Sequence, residues 1–222
     1  MRPLVHSVVF RSAVFAASLL GLGFASLSAR ANEPLEERPP LGVTPPSSKP
    51  DIPPAAVPRA GDKAPPFTLK SVDTGQPRSL DSYLKSKTKD GKDAKGAVVL
   101  FLSCRCPYVA QARAPIAELY KQYGDKVAFV GVNANQNEPV SDIKADAAQS
   151  FGFPMLRDDG SKVADLYGAQ RTPEVFVVGT NGLVRYHGGV DDLGPALAQL
   201  VAGQAVTKFE SKAFGCTIKR KP

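Results

Sequence analysis

No apolar run in this chain is long enough to cross a bilayer. The longest, SAVFAASLLGLGFASL at residues 12–27, has sixteen residues against the ~20 a spanning helix needs. No twin arginine precedes that run, and no cysteine follows it to carry a lipid. The stretch reads as a secretory leader over residues 1–31, with Arg2, His6 and Arg11 as a basic start and Ala29-Arg30-Ala31 as the small-residue cleavage site; an uncleaved anchor is the competing view, disfavoured by the short run and the cleavage site. Cleavage near Ala31 predicts an exported chain, periplasmic or extracellular, with no membrane span in its mature form. A surplus of basic charge is also smaller than the formal +7 suggests. Arg2, Arg11 and Arg30 leave with the leader and no acid does, so the mature chain carries +4 (7 − 3). Much of the rest lies in KSKTKDGKDAKG, residues 85–96, a glycine-punctuated loop with no aromatic interleaved, which argues against a nucleic-acid partner.

Cysteine is scarce, and its three copies make an odd count. Export places them where disulfides persist, so the set reads as a pair plus one thiol, or as thiols that exchange partners. Proline is abundant but confined. Eleven of the twenty prolines fall between residues 33 and 66, a stretch that excludes helix and central strand and predicts a semi-stiff tether. Residues 32–60 are therefore a linker, and 61–222 form one domain.

Within that domain, GAVVLFLS (96–103) and KVAFVGVN (126–133) are apolar without alternation, as strands buried on both faces are. Val109, Ala112, Ile116, Leu119 and Tyr123 recur at helical spacing over 107–123, where Pro115 predicts a kink or early break and Gly124 a stop. A short strand within 66–73, helices at 140–152, 162–168 and 191–203, a strand in FPMLRDD, and a hairpin over 174–188 turning at Thr180–Gly182 complete the order. Helices between the middle strands and a hairpin at one side imply an α/β fold with a mixed sheet and helices on both faces. Sites in such sheets gather at the carboxyl ends of strands. FLSCRCPYVAQA (101–112) is such an end. Pro107 suits the first position of a helix, making Cys106 its cap, beside unpaired amides and the positive end of the helix dipole. Helix starts and neighbouring cations can depress a thiol pKa to ~3.5–7.5, and Arg105 stands next door. A Cys104–Cys106 bridge closes too short a loop to stabilise the fold, and being strained it would be easily reduced.

GDKAPPFTLKSVDTGQPRSL resembles the opening of the redoxins, the thioredoxin-like and peroxiredoxin-like (alkyl hydroperoxide reductase/thiol-specific antioxidant) proteins. CPYVAQA, AFVGVNANQ, RTPEVFVV, RYHGGVDD and FGCTIKRK are similar to a peroxiredoxin-like branch with a Cys-Pro-Tyr-Val helix start and a late cysteine. The resemblance runs from about Gly61 to Lys221 and implies a thioredoxin-like fold. It places Cys106 at the peroxidatic position and Ser103 at the hydroxyl position three residues earlier. Val99 stands where peroxiredoxins carry a proline, and Ser103 where Cys-x-x-Cys relatives carry a cysteine; here the neighbouring thiol is Cys104. The resemblance also makes Thr172-Pro173 a cis-proline loop facing the sulfurs, with Arg171 as a second cation. Cys216 is then either a resolving thiol on a C-terminal arm or a packed tail cysteine.

The leading expectation is an exported thiol–disulfide oxidoreductase. Cys106 attacks, Cys104 or Cys216 resolves, and Ser103, Arg105, Arg171, Thr172 and Pro173 bind substrate. It needs no cofactor, a disulfide-bearing protein or small-molecule thiol or peroxide as substrate, and an upstream thiol reductant. The alternatives are a thiol peroxidase and a copper- or zinc-binding chaperone or sensor using Cys104, Cys106 and His187.

Overall fold

A computed structural model describes residues 57–88 and 91–221. The leader, and the proline-rich tether as far as residue 56, lie outside the described residues. The two uninterrupted apolar runs become neighbouring central strands, β3 (Gly96–Phe101) and β4 (Ala128–Asn133). Every residue of β3 is buried, because both faces of the sheet are covered. Val98 and Leu100 enter one core with Val109, Ile116, Ile143 and Leu197. Ala97, Val99 and Phe101 enter the other, with Leu80, Tyr83, Val163 and Ala164. The first core is covered by α2 (Pro107–Tyr123), α3 (Val140–Ser150) and α5 (Leu193–Val201), the second by α1 (Leu80–Leu84) and α4 (Lys162–Leu166).

The remaining strands are β1 (Thr68–Ser71), β2 (Pro77–Ser79), β5 (Met155–Arg157), β6 (Arg171–Thr172), β7 (Glu174–Gly179), β8 (Val184–Gly188) and β9 (Cys216–Thr217). Seven form one sheet in the order β2-β1-β5-β4-β3-β7-β8. The pairs β3–β4 and β4–β5 are parallel and the other four antiparallel, so the sheet is mixed as expected, with its parallel part inside.

Three differences from the sequence reading have physical causes. Pro115 does not end α2, which runs unbroken to Tyr123. Pro115 faces solvent, so water can serve the carbonyl its missing amide leaves unpaired. β2 and α1 were not expected, being too short for periodicity to reveal; a Ser79–Ser82 capping box starts α1. The C-terminal segment, for which no strand is expected, forms one. Its β9 pairs with β6 in a separate two-stranded sheet, Ile218 is buried, and Arg220 Nε donates to Asp165 Oδ1 at 2.6 Å.

Candidate active site

The carboxyl end of β3, the start of α2, the β6–β7 loop and the C-terminal strap meet around Cys106. That residue caps α2 with Pro107 next, as the sequence predicts, and is only 4% exposed. The Thr172–Pro173 bond is cis, and Cys106 Sγ donates to the Thr172 carbonyl at 3.1 Å. A buried carboxylate builds this loop: Glu174 accepts from the Gln170 and Arg171 amides, both at 2.9 Å, and pairs with His187 Nε2 at 2.8 Å.

The strap brings the third thiol in. In the β6–β9 ladder Thr172 lies opposite Cys216, and Arg171 opposite Thr217. Close approach requires Gly215, because a Cβ there would be driven into the Thr172 carbonyl. Arg171 fastens the same strap, its Nη1 donating to Gly215 O (3.4 Å) and Thr217 Oγ1 (3.2 Å). Ile218 N donates to Gln170 O at 2.9 Å, and Gln136 N to Lys219 O at 2.7 Å.

These contacts divide the thiols electrostatically. Burial disfavours the Cys106 thiolate, yet its pKa is lowered overall, because the Cys216 thiol, the Thr172 side chain and the Val109 and Cys216 amides favour the anion. Cys216 is shifted the other way. Burial raises its pKa first, and its hydrogen bond to Cys106 and the charge there raise it further. Cys104 is pushed up to about 12, by burial and then by its hydrogen bond to Glu138 and that carboxylate's charge. Of the three, Cys106 is the thiol whose pKa the site lowers.

The other candidates are placed differently from one another. Ser103 Oγ donates to Glu138 Oε1 and accepts from the Arg105 amide at 3.2 Å. Arg105 leans onto α3 and the loop before it: Nη2 donates to Asp142 Oδ2 at 2.8 Å and Nη1 to Asn137 O at 3.3 Å. Its charge acts on Cys104 rather than on the groups that set Cys106. His187, offered above as a metal ligand, is held by Glu174 and stacked on Phe176 at 4.3 Å. Among the described residues no three His, Cys, Asp or Glu side chains gather to hold a metal ion. An open groove of about 210 Å³ runs along α2 against residues 189–191 and 212–214; exposed Tyr108 and Phe214 line it, and none of the three cysteines does.

Two buried carboxylates of this corner escaped the sequence reading. Glu138 is buried and receives Ser103 Oγ, the Cys104 amide (3.1 Å), Cys104 Sγ (3.2 Å) and Asn133 Nδ2 (2.6 Å). Glu174 is the second. Glu138 sits just past the carboxyl end of β4, a position that could have marked it. Glu174 opens a buried strand and gave no such signal.

A central mixed sheet, helices on both faces, a cis-proline loop and a thiol capping a helix together define a thioredoxin-like fold with a sulfur site, and its enzyme class is oxidoreductase. The model of the AhpC/TSA family matches residues 60–187, more than half of the chain, and the chain belongs to that family. It is 27% identical over 133 residues to the thiol-disulfide oxidoreductase ResA of Halalkalibacterium halodurans, covering 59% of this chain and 69% of ResA. It is 30% identical over 129 residues to the thioredoxin-like protein YneN of Bacillus subtilis, covering 56% and 68%. Among solved structures, a conserved protein of Geobacillus kaustophilus superposes with a TM-score of 0.65 at 26% identity, covering 73% of this chain and 93% of that one.

Proposed function

We propose that this chain is an exported thiol–disulfide oxidoreductase in which Cys106 is the nucleophile and Cys216 the first resolving thiol. The observation that carries the reading is the register of the strap. Cys216 stands opposite Thr172, whose carbonyl receives the Cys106 thiol. The similarity to ResA and YneN supports the reaction class. The Cys106 thiolate attacks one sulfur of a substrate disulfide, and the other leaves as a thiolate. Cys216 then gives up its proton and attacks Cys106, expelling the second substrate sulfur. The substrate gains two electrons, the enzyme holds a Cys106–Cys216 disulfide, and an upstream thiol reductant restores it. The groove lined by Tyr108 and Phe214, two residues from Cys106 and Cys216 along the chain, gives a disulfide-bearing partner a surface to rest on.

One feature favours a second reading. The edge of β6, where an extended polypeptide would pair, is already taken by β9. A small reactant meets no such obstacle, and a hydroperoxide would convert Cys106 to a sulfenic acid that Cys216 condenses into the same disulfide, releasing water.

A peptide map tests the proposal. Exported protein, treated with one equivalent of oxidised glutathione and acid-quenched early, is expected to begin at Asn32 and to carry Cys106–Cys216 as its first bond. A first bond elsewhere, or none, overturns the cysteine roles; a retained leader overturns cleavage after Ala31. Replacing the disulfide by hydrogen peroxide separates the two substrates: Cys106 oxidation no faster than that of free cysteine removes the second reading.

A further inference from the structure

Cys104 is left without a task by this chemistry, yet it is the most elaborately held of the three thiols. Its amide and its sulfur both donate to Glu138 Oε2, at 3.1 and 3.2 Å, and Asn133 Nδ2 reaches the same oxygen at 2.6 Å. Ser103 holds the other oxygen. Glu138 is 4% exposed, so nearly all of this carboxylate's solvation comes from protein groups. Bringing a carboxylate out of water is costly and is offset here by the donors around it, the Cys104 thiol among them.

We propose that Glu138 is the proton acceptor that makes Cys104 a second resolving thiol, which displaces Cys216 from Cys106. The proposal rests on the nucleophile assignment above. In the step, the Cys104 S–H bond breaks and its proton passes to Glu138 as Cys104 attacks Cys106. A Cys104–Cys106 bond forms, the Cys106–Cys216 bond breaks, and Cys216 leaves as a thiolate that takes a proton from water. Disulfide is exchanged for disulfide, with no net oxidation, and the strap is freed of its covalent tie.

The charges around Cys104 suit a thiol that waits protonated. Glu138 and Asp146 oppose its ionisation and Arg105 favours it; Arg105 is paired with Asp142, and Asp146 with Arg113. With its pKa pushed up to about 12, Cys104 has too little free thiolate near neutrality to attack unaided. An acceptor already touching the sulfur removes that obstacle, as general bases do by ~10²–10⁴-fold.

The test follows the bonds in time. Full-length mature protein and its Glu138→Gln and Cys104→Ser variants receive one equivalent of oxidised glutathione, and acid-quenched samples are mapped. Wild type is expected to show Cys106–Cys216 first and Cys104–Cys106 later. Conversion in Glu138→Gln is expected to be about 100-fold slower and to rise with pH, while Cys104→Ser stops at the first bond. Equal conversion rates in wild type and Glu138→Gln, or a wild type that never forms Cys104–Cys106, overturn the proposal. If Glu138→Gln does not fold, wild type decides. Conversion nearly flat between about pH 6 and 9 supports an internal acceptor, and a rate rising about tenfold per pH unit contradicts it. Failure of Cys106 to react first sinks the nucleophile assignment, a separate result.

Discussion

Thr172 joins three functions in one residue. Its carbonyl receives the Cys106 thiol, its backbone pairs with Cys216, and its side chain favours the Cys106 thiolate. Its hydroxyl is buried and has no hydrogen-bond partner. An unpaired buried hydroxyl costs about 1–3 kcal/mol, and a charged Cys106 is a group it could serve. Thr172→Val is therefore expected to keep or raise stability, by up to about 1 kcal/mol in a denaturant titration, while moving Cys106 alkylation to higher pH. Loss of stability without that shift would mean the hydroxyl serves packing alone. The sequence pointed to Cys106 and Thr172 but credited Arg105 with activating the thiol. Adjacency along the chain says nothing of side-chain direction, and Arg105 turns to Asp142.

At the scale of elements, the strap decides which sulfur meets Cys106. β9 is only two residues long and draws its register from neighbours: the Ile218 amide on Gln170, the Lys219 carbonyl on Gln136, and Arg171 across it. A pair so short leaves no periodic pattern, so its partner was illegible in FGCTIKRK, although the cysteine within it was noticed. Gly215 is its weakest point. Gly215→Ala forces the strap off the Thr172 carbonyl, and the first disulfide is expected to form at least about tenfold more slowly, since small misplacements of reacting groups are costly. Cys216 should then label faster with iodoacetamide. Unchanged rates of disulfide formation would show that the strap need not lie where the structure puts it.

Over the whole molecule, the longer elements were readable because each buries a face. The runs in β3 and β4 are apolar throughout since helices cover both sides of the sheet, and α2 shows its stripe because its other side is wet. The active corner was readable for the same reason, lying where a buried strand must give way to a helix. Its tuning was not, because Glu138, Glu174 and Cys216 reach it from three separate parts of the chain. The fold thus sorts three like thiols into one poised to ionise and two held protonated.

Mass-resolved iodoacetamide labelling of the reduced wild-type protein across pH tests that sorting most directly. The midpoint of the Cys106 rate curve is expected below the ~8.5 of an ordinary thiol, with Cys104 unreactive over the same range. A Cys106 curve that overlays free cysteine, or one that lies above Cys104 nowhere, would contradict it.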